Sequence, residues 1–166
     1  MIEKDASSIS LLVEQLAENL VAKKLILSTA ESCTGGWIAQ ALTSVPGSSL
    51  WFDSGFVTYS NESKVTMLNV EADLLSTSGP GAVSEEVVIS MTRGVMDNSR
   101  SNLVIAVSGI AGPDGGVPGK PVGSVWIAWR WEAKVLAKYF LFTGNRYEVR
   151  RSAVEAGLLG AIELIS

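Results

Sequence analysis

The chain has 166 residues, of which 47% are hydrophobic and 18% charged, a composition typical of one globular domain and not of a disordered chain. Its formal net charge of −4, with lysines and arginines scattered along the sequence, argues against nucleic acid as the main partner. One cysteine and no histidine exclude an internal disulfide and disfavour a zinc site, and no apolar run approaches the roughly 18 residues of a membrane span. We therefore expect a single cytoplasmic domain over residues 1–166, without a membrane segment.

The first half of the chain predicts helices that alternate with strands. Apolar residues three or four apart, such as Leu12, Leu16 and Leu20, form a helical stripe, and the run 25–27 is typical of a buried strand. In chain order we predict a helix over Ser8–Lys23, a strand over Lys24–Thr29, a short helix carrying Ile38, Ala39 and Leu42, a strand over Trp51–Tyr59, and short helices over Asn61–Leu68 and Glu71–Ser76.

The second half predicts a long helix, a central strand, a hairpin and a final helix. The continuous run Leu103–Val107 is rich in β-branched residues, as in strands buried on both faces. In chain order we predict a helix from Glu85 to about Asn98, a strand over Leu103–Val107, a hairpin of Val122–Trp131 and Lys134–Phe142, and a helix over Arg146–Ile165. Helices separate the early strands and a hairpin comes late, so we expect an α/β fold with a mixed β-sheet and helices on both faces.

The sequence AESCTGGW at residues 30–37 places Ser32 and Thr34 at the turn between the first strand and the next helix. Backbone N–H groups at such a turn point outward and favour a negative charge. Ser32 is therefore a candidate nucleophile, and its alternative role is that of an N-cap residue. Because the chain contains no histidine, a serine nucleophile must use a different base.

Lys64, on the predicted helix after the second strand, is the candidate base if its pKa falls from about 10.4 toward 7. The alternative for Lys64 is a solvated surface lysine. Tyr59 is either a partner of the base or a core aromatic residue. Glu31 would raise the pKa of Lys64 if it lay close by, or would instead face the amide of a substrate. Cys33 is a rival nucleophile, but without a histidine partner it is more simply a packed small residue.

Two further segments suggest that an anion binds. The loop 108–116 contains Ser108, Gly109, Gly112 and two more glycines, and it follows a central strand, where ligand crevices form. Arg146 and Arg150 share a face at the start of the last helix, where two cations oppose the helix dipole. A bound phosphate would compensate these cations, and pairing with acidic residues is the alternative.

Five segments of the chain stand out as motifs: STAESCTGG at 28–36, TYSN at 58–61 with Lys64, GPGAVSEEV at 79–87, SGIAGPDGG at 108–116, and FxGxRxxVR at 142–150. Together they resemble the CinA C-terminal domain family, which includes nicotinamide-nucleotide amidohydrolases. They follow the family's order and span nearly the whole chain, and the first and fourth are highly specific. The family often has threonine where this chain has Ser108. Since the hydroxyl is retained, we expect reduced rigidity there and no loss of function.

The resemblance implies a three-layer α/β/α sandwich and a metal-free amidohydrolase without a cofactor. Its substrate would be nicotinamide mononucleotide (NMN), a small-molecule partner, converted to nicotinic acid mononucleotide and ammonia in pyridine nucleotide recycling. By the same resemblance, Ser32 would be the nucleophile and Lys64 its base, with assistance from Ser108 and Arg146.

These segments give one predicted site. We assign catalysis to Ser32, Lys64, Glu31 and Tyr59, and substrate binding to Thr34, Gly35, Ser108, Gly109, Gly112, Arg146 and Arg150. Amides near Thr34 and Gly35 would hold an oxyanion, and the two arginines would lower the pKa of Lys64. Two alternatives stay open: a catalytically silent nucleotide-binding module linked to competence or DNA damage, and another amidase or esterase with the same Ser–Lys pair. Five tryptophans suggest exposed apolar surface and hence a homo-oligomer.

Overall fold

A computed structural model describes the backbone of residues 3–166 and the side chains from Ser8 onward, so the first residues of the expected domain 1–166 lie outside the described part. The described elements, in chain order, are α1 (Glu3–Lys23), β1 (Leu27–Glu31), α2 (Trp37–Thr43), a 3-10 helix (Ser48–Leu50), β2 (Phe52–Val57), α3 (Asn61–Leu68), α4 (Ala72–Leu75), α5 (Glu85–Asp97), β3 (Leu103–Gly109), β4 (Ser124–Trp131), β5 (Lys134–Leu141) and α6 (Arg146–Ile165). Helices α3 and α6 have the predicted bounds.

The described strands form one mixed sheet in the order β2-β1-β3-β4-β5. Strand β1 pairs in parallel with both β2 and β3, whereas β4 and β5 continue the sheet in antiparallel pairing. A register shift lies near the start of the β1–β2 pair, where Leu27 is opposite Phe52 but Ser28 is opposite Ser54. Because β1, β2 and β3 run in the same direction, their carboxyl ends lie at one edge of the sheet.

Helices pack on both faces of this sheet, which confirms the predicted α/β fold. Successive residues of β3 point to opposite faces. Leu103, Ile105 and Val107 join the apolar cluster beneath α1, α2 and α6, while Val104 and Ala106 join the cluster beneath α3 and α5. Both faces of the central strand are therefore buried, as its continuous apolar sequence indicated.

Strand β1 begins three residues later than predicted, because Lys24 still belongs to the end of α1. Its φ of 56° is left-handed, and its N–H and that of the next residue bond back to carbonyls in the last turn of α1. Extended backbone begins only at Leu27 and continues to Glu31, two residues beyond the predicted end. The later end brings Ser32 immediately after the strand.

Strand β3 is two residues longer than predicted, so Ser108 and Gly109 lie in the sheet and not in the glycine loop. They pair with Trp126 and Val125 of β4. A Cβ atom on Gly109 would lie 2.6 Å from Val125 Cγ2, so this position needs glycine because of the close approach of β4.

The tryptophans do not supply the exposed apolar surface on which the expected self-association rested. Trp51 and Trp129 are buried, and the other three are half-buried. The exposed large apolar side chains include Leu11, Leu136, Leu141 and Leu159. The homo-oligomer therefore stays a prediction. Within residues 3–166, no helix combines the length and the hydropathy that crossing a membrane requires.

Candidate active site

The carboxyl ends of the parallel strands meet beside a cavity of about 270 Å³. The N–H of Ser32 donates to the Val107 carbonyl at 3.0 Å, which joins the ends of β1 and β3. The N–H of Thr58 donates to the Glu31 carbonyl at 3.0 Å, which joins β2 to them. In open α/β sheets, ligands bind at this edge.

Seven of the eleven predicted site residues line this cavity. They are Ser32, Tyr59, Lys64, Ser108, Gly109, Gly112 and Arg146. The other four do not line it, and they are Glu31, Thr34, Gly35 and Arg150.

The structure brings the predicted nucleophile and base into direct contact. Lys64 Nζ lies 3.0 Å from Ser32 Oγ, although the two residues are 32 positions apart in the sequence. Both side chains are buried, with 1% of Lys64 and 7% of Ser32 exposed. The surface alternative for Lys64 is therefore wrong. A hydroxyl within hydrogen-bond reach of an amine is the arrangement expected of an activated nucleophile.

Helix α3 directs Lys64 toward the turn that precedes it. Ser60 is the N-cap, and its hydroxyl accepts a hydrogen bond from the Ser63 N–H at 3.0 Å. Lys64 lies in the first turn, and its amine reaches the carbonyls of Thr58 at 2.8 Å and Tyr59 at 3.2 Å. A cation at this end of a helix opposes the helix dipole.

Burial lowers the pKa of Lys64 from 10.5 to about 8, and the neighbouring Cys33 acts in the opposite direction. Roughly a tenth of the amines are then neutral at pH 7 and about half at pH 8. We expected Arg146 and Arg150 to lower this pKa, but desolvation of the ammonium is the cause.

The surroundings of the amine fit its neutral form. A neutral amine has two N–H donors and one lone pair, whereas a carbonyl oxygen can only accept. When Thr58 O and Tyr59 O take the two N–H groups, the lone pair is left for the Ser32 hydroxyl. The Ser60 carbonyl, at 3.5 Å, is the most distant partner. In the neutral form, the Lys64 lone pair and the Tyr59 carbonyl, at 3.4 Å, are the two acceptors near the Ser32 hydroxyl.

Glu31 is fully buried, and its carboxylate caps α2. Oε1 accepts from the Ile38 N–H at 2.8 Å, and Oε2 accepts from the Ala39 N–H at 2.9 Å. The N-cap position itself is Gly36, which has no side chain and a φ of 95°. Glu31 supplies the missing acceptor from the end of β1, with its negative charge at the positive end of the helix dipole. The carboxylate thus holds the turn 32–36 closed.

The turn that carries Ser32 is also held from α6. Arg150 Nε donates to the Cys33 carbonyl and Nη2 to the Thr34 carbonyl, each at 3.0 Å. The Gly35 N–H donates to the Ser32 carbonyl at 3.0 Å, so the amide expected to hold an oxyanion is already used. Thr34 is fully buried, and its hydroxyl has no hydrogen-bond partner among the described residues.

Burial raises the pKa of the Cys33 thiol to about 12, because the thiolate would be desolvated. Glu31 raises this pKa further, while the Cys33 backbone N–H, Arg150 and Lys64 oppose the change. The thiol is therefore protonated at neutral pH and is a poor nucleophile. Of the two candidate nucleophiles, Ser32 and Cys33, this favours Ser32.

Arg146 is the first residue of α6 and lies at the exposed side of the cavity. Asn145 and Glu148 form a capping box, which fixes the start of the helix. Arg146 Nη1 donates to the Gly112 carbonyl at 2.7 Å, and Nη2 donates to the Tyr59 hydroxyl at 3.1 Å. Tyr59 is 61% exposed, so it is not a core aromatic residue.

Sequence reasoning missed part of the cavity wall. Asn61 comes from the start of α3, Ala82 and Val83 from the loop before α5, and Asp114 from the glycine loop. All four lie in segments on which the family resemblance rests, so that resemblance was the one signal that could have identified them. Within the described part of the chain, no group of three or more His, Cys, Asp or Glu side chains is arranged to hold a metal ion.

Similarity to known proteins extends over nearly the whole chain. A family profile of the CinA C-terminal domain matches residues 10–165. A nicotinamide-nucleotide amidohydrolase PncC of Pseudomonas putida is 49% identical over 156 residues, 94% of this chain and 96% of that protein. A protein of the same name from Escherichia coli K12 is 44% identical over 153 residues, 92% of each chain.

Solved structures are also similar to this chain over nearly its whole length. The crystal structure of the competence/damage inducible protein CihA from Agrobacterium tumefaciens superposes with a TM-score of 0.91 at 41% identity, and the match covers 96% of both chains. Sequence and structure together confirm the resemblance, and the chain belongs to the CinA C-terminal domain family.

Proposed function

We propose that this protein is an amidohydrolase that converts NMN to nicotinic acid mononucleotide and ammonia, in the cytoplasmic recycling of pyridine nucleotides towards NAD. The relatives named nicotinamide-nucleotide amidohydrolase support this substrate. One observation carries the chemistry: the buried Lys64 amine, with its lowered pKa, lies 3.0 Å from Ser32 Oγ. A hydroxyl beside a neutral amine is the pairing that acyl transfer by a Ser–Lys dyad requires.

The reaction begins when Ser32 Oγ attacks the carboxamide carbon and Lys64 Nζ takes the hydroxyl proton. The electron pair of the carbonyl double bond moves to oxygen, which gives a tetrahedral oxyanion. When this intermediate collapses, the C–N bond breaks and the leaving nitrogen takes the proton from Lys64 to depart as ammonia. Water then attacks the acyl–Ser32 ester and gives a proton to Lys64. The acyl C–O bond breaks, Ser32 Oγ takes that proton back, and nicotinic acid mononucleotide is released.

We assign to Arg146 the role of binding the phosphate of NMN. Its present partners, the Gly112 carbonyl and the Tyr59 hydroxyl, are neutral, so a phosphate would be a stronger partner for the guanidinium. Ser108 and the glycine loop form the wall next to it and would contact the ribose or phosphate. Glu31 acts in this proposal as a positioning residue, because its carboxylate binds the α2 backbone.

The test is incubation of the purified protein with NMN in EDTA, following ammonia and nicotinic acid mononucleotide by chromatography. Ser32→Ala removes the nucleophile and Lys64→Met removes the base. Ser49→Ala is the matched control, since Ser49 is exposed on the 3-10 helix before β2, at the other edge of the sheet. We expect product from the wild type and the control, and none from the other two variants.

Other outcomes would point elsewhere. Product from Ser32→Ala would move the nucleophile to another group. Product only without EDTA would make the reaction depend on a metal. NMN that binds but is not cleaved by the wild type would favour the silent nucleotide-binding module, and cleavage of unrelated amides or esters at similar rates would favour a broader hydrolase.

A further inference from the structure

Two separate segments of the chain complete the cavity wall around the Ser32–Lys64 pair. The first is the segment GPGAV at residues 79–83, whose last two residues line the cavity. The second is the β3–β4 loop, residues 110–123, which lines the cavity with residues between Ile110 and Gly115. The first segment belongs to the motif GPGAVSEEV, to which the proposed reaction gives no role.

The segment 79–83 is anchored to the helices on either side of it. The Gly81 N–H donates to the Leu74 carbonyl of α4 at 2.8 Å. The Gly81 carbonyl accepts from the Ser84 hydroxyl at 2.6 Å, and Ser84 is the N-cap of α5. This side of the cavity is therefore held by the body of the fold.

The β3–β4 loop is closed at its base and at its tip. At the base, the Ile110 N–H donates to the Ser124 carbonyl and the Gly123 N–H to the Ile110 carbonyl, each at 2.8 Å. At the tip, two backbone hydrogen bonds of 3.0 and 2.9 Å close the turn 117–120. None of these bonds joins the loop to the segment 79–83.

The side chain of Lys120, at the end of this turn, joins the two segments. Its Nζ donates to the Pro80 carbonyl, and a Cβ atom on Gly81 would lie 3.5 Å from Nζ. Among the described residues, this is the only hydrogen bond between residues 79–83 and 110–123. A hydrogen bond from an ammonium group is stronger than one between neutral groups. Lys120 is half-buried and does not line the cavity, so it acts on the wall and not on a bound ligand.

The other side chain that holds this loop is Arg146, whose Nη1 donates to the Gly112 carbonyl at 2.7 Å. Arg146 is also the residue to which we assigned the phosphate of NMN. Since a phosphate is a stronger partner than a neutral carbonyl, binding of the phosphate weakens the hold of Arg146 on Gly112. The contact of Lys120 with Pro80 is then the side-chain contact that keeps the loop in place.

We propose that Lys120 is a positioning residue that holds the β3–β4 loop against the segment 79–83 and so sets the width of the cavity that receives the nucleotide. The inference rests on the amidohydrolase function proposed above, because it takes this cavity as the NMN site. Ser32 and Lys64 come from the turn after β1 and from α3, outside both segments. Lys120 therefore affects nucleotide binding and leaves the chemical step nearly unchanged.

The experiment compares variants of the full chain by kcat and KM for NMN and by the Kd of the product, nicotinic acid mononucleotide, measured by calorimetry. Lys120→Ala removes the contact, and Lys120→Arg keeps a charged donor. Lys120→Met keeps the aliphatic stem without the donor, and it answers the same question if Lys120→Ala does not fold. Lys134→Ala is the matched control, since Lys134 is exposed on β5. Circular dichroism reports whether each variant folds.

We expect KM and Kd to rise about tenfold in Lys120→Ala and Lys120→Met, the change that loss of one charge-assisted hydrogen bond produces. The value of kcat should stay within about threefold of the wild type, because Ser32 and Lys64 keep their contact. Lys120→Arg should restore most of the affinity, and the control should equal the wild type. Hydrogen exchange in residues 79–83 and 110–123 should be faster in Lys120→Ala than in the control.

Salt separates this role from simple attraction between the Lys120 charge and an anionic nucleotide. Attraction over a distance is screened at high ionic strength, whereas a direct contact within the protein is screened much less. We therefore expect the ratio of Kd between Lys120→Ala and the wild type to be the same at about 0.05 M and about 0.5 M NaCl. A ratio that falls to one at high salt would overturn the inference in favour of electrostatic attraction.

The results that overturn the inference are distinct from those that overturn the function. Unchanged KM and Kd in a folded Lys120→Ala would show that the contact does not shape the cavity. A loss of kcat at unchanged KM would contradict a role in binding. A wild type that binds both nucleotides but releases no ammonia would remove the proposed function alone, since Kd still tests the contact. A wild type that binds neither nucleotide would overturn both.

Discussion

The buried amine of Lys64 makes the stability of this protein depend on pH, and Lys64→Met should abolish that dependence. In the unfolded chain the lysine has its ordinary pKa of 10.5, and in the folded protein the pKa is about 8. Between these two values the unfolded state binds more protons than the folded state, so stability rises as pH rises. Below about pH 8 both states are protonated, and the full penalty of burying the ammonium is present.

The magnitude follows from the two pKa values. Between pH 7 and pH 9 the folded amine loses most of its proton while the unfolded amine keeps it, which at 1.36 kcal/mol for each tenfold change is worth somewhat over 1 kcal/mol. Lys64 is 1% exposed but borders an open cavity, so we discount this for solvent screening to about 1 kcal/mol. The wild type should gain this much unfolding free energy relative to Lys64→Met.

The absolute stability of the variant is less diagnostic than its pH dependence. Methionine removes the buried amine, but it also leaves the Thr58 carbonyl without its donor, at about 1–3 kcal/mol for a buried group, while the Tyr59 carbonyl keeps the Ser32 hydroxyl at 3.4 Å. These effects have opposite signs, and only the first of them changes between pH 7 and pH 9. The change in unfolding free energy between pH 7 and pH 9 therefore isolates the contribution of the amine's protonation.

Urea unfolding at pH 7, 8 and 9 measures this difference. Lys134→Met is the matched control, because Lys134 is exposed on β5. We expect the control to follow the wild type and Lys64→Met to diverge from both. Parallel curves for all three proteins would show that the Lys64 pKa is not lowered, and would remove the physical basis for its role as base.

Four further results are expected. For ammonia release from NMN, kcat/KM should rise about fivefold from pH 7 to pH 8 and level off above pH 9, as the Lys64 amine becomes neutral; a flat profile contradicts this. In urea unfolding, Glu31→Gln should lower stability by about 1–2 kcal/mol through the weakened cap of α2, whereas the exposed Glu163→Gln should not. Cys33→Ala should keep most of kcat, because the wild-type thiol is protonated; a loss like that of Ser32→Ala would reopen the choice of nucleophile. Gly109→Ala should lower the thermal midpoint and the activity together, because its Cβ would lie 2.6 Å from Val125 Cγ2 and 2.9 Å from the Ser124 carbonyl.

The sequence predicts those parts of the fold whose signal is local. The run Leu103–Val107 is apolar on both faces, and the structure buries it on both. Asn145 and Glu148 have the spacing of a capping box, and they form one. By contrast, no local sequence pattern predicts that Lys24 adopts a left-handed φ, which delays the start of β1.

The candidate site also contains some residues that the sequence predicts and others whose roles it does not. Ser32 and Lys64 are identified by the motifs that contain them, and the sheet brings them together. The roles of Glu31 and Arg150 could not be predicted, because their backbone partners lie at least seven residues away in the sequence, and no local pattern marks them. Arg146 and Arg150 are four residues apart and share a face as predicted, yet their side chains bind different loops.

The register shift at the start of the β1–β2 pair has a consequence for length changes in this chain. Strand β2 contains one more residue than β1 between the pairs Leu27–Phe52 and Ser28–Ser54, and beyond that bulge Glu31 is opposite Val57. One residue of strand advances the chain by about 3.3 Å. A shift of one residue would therefore break the contact of 3.0 Å between Lys64 Nζ and Ser32 Oγ. We expect an insertion or deletion before the bulge to be absorbed there, whereas one after it would displace Lys64 relative to Ser32 by one residue. The bulge thus separates the single pair before it, Leu27–Phe52, from the four pairs after it, where the length of the chain sets the distance between Lys64 and Ser32.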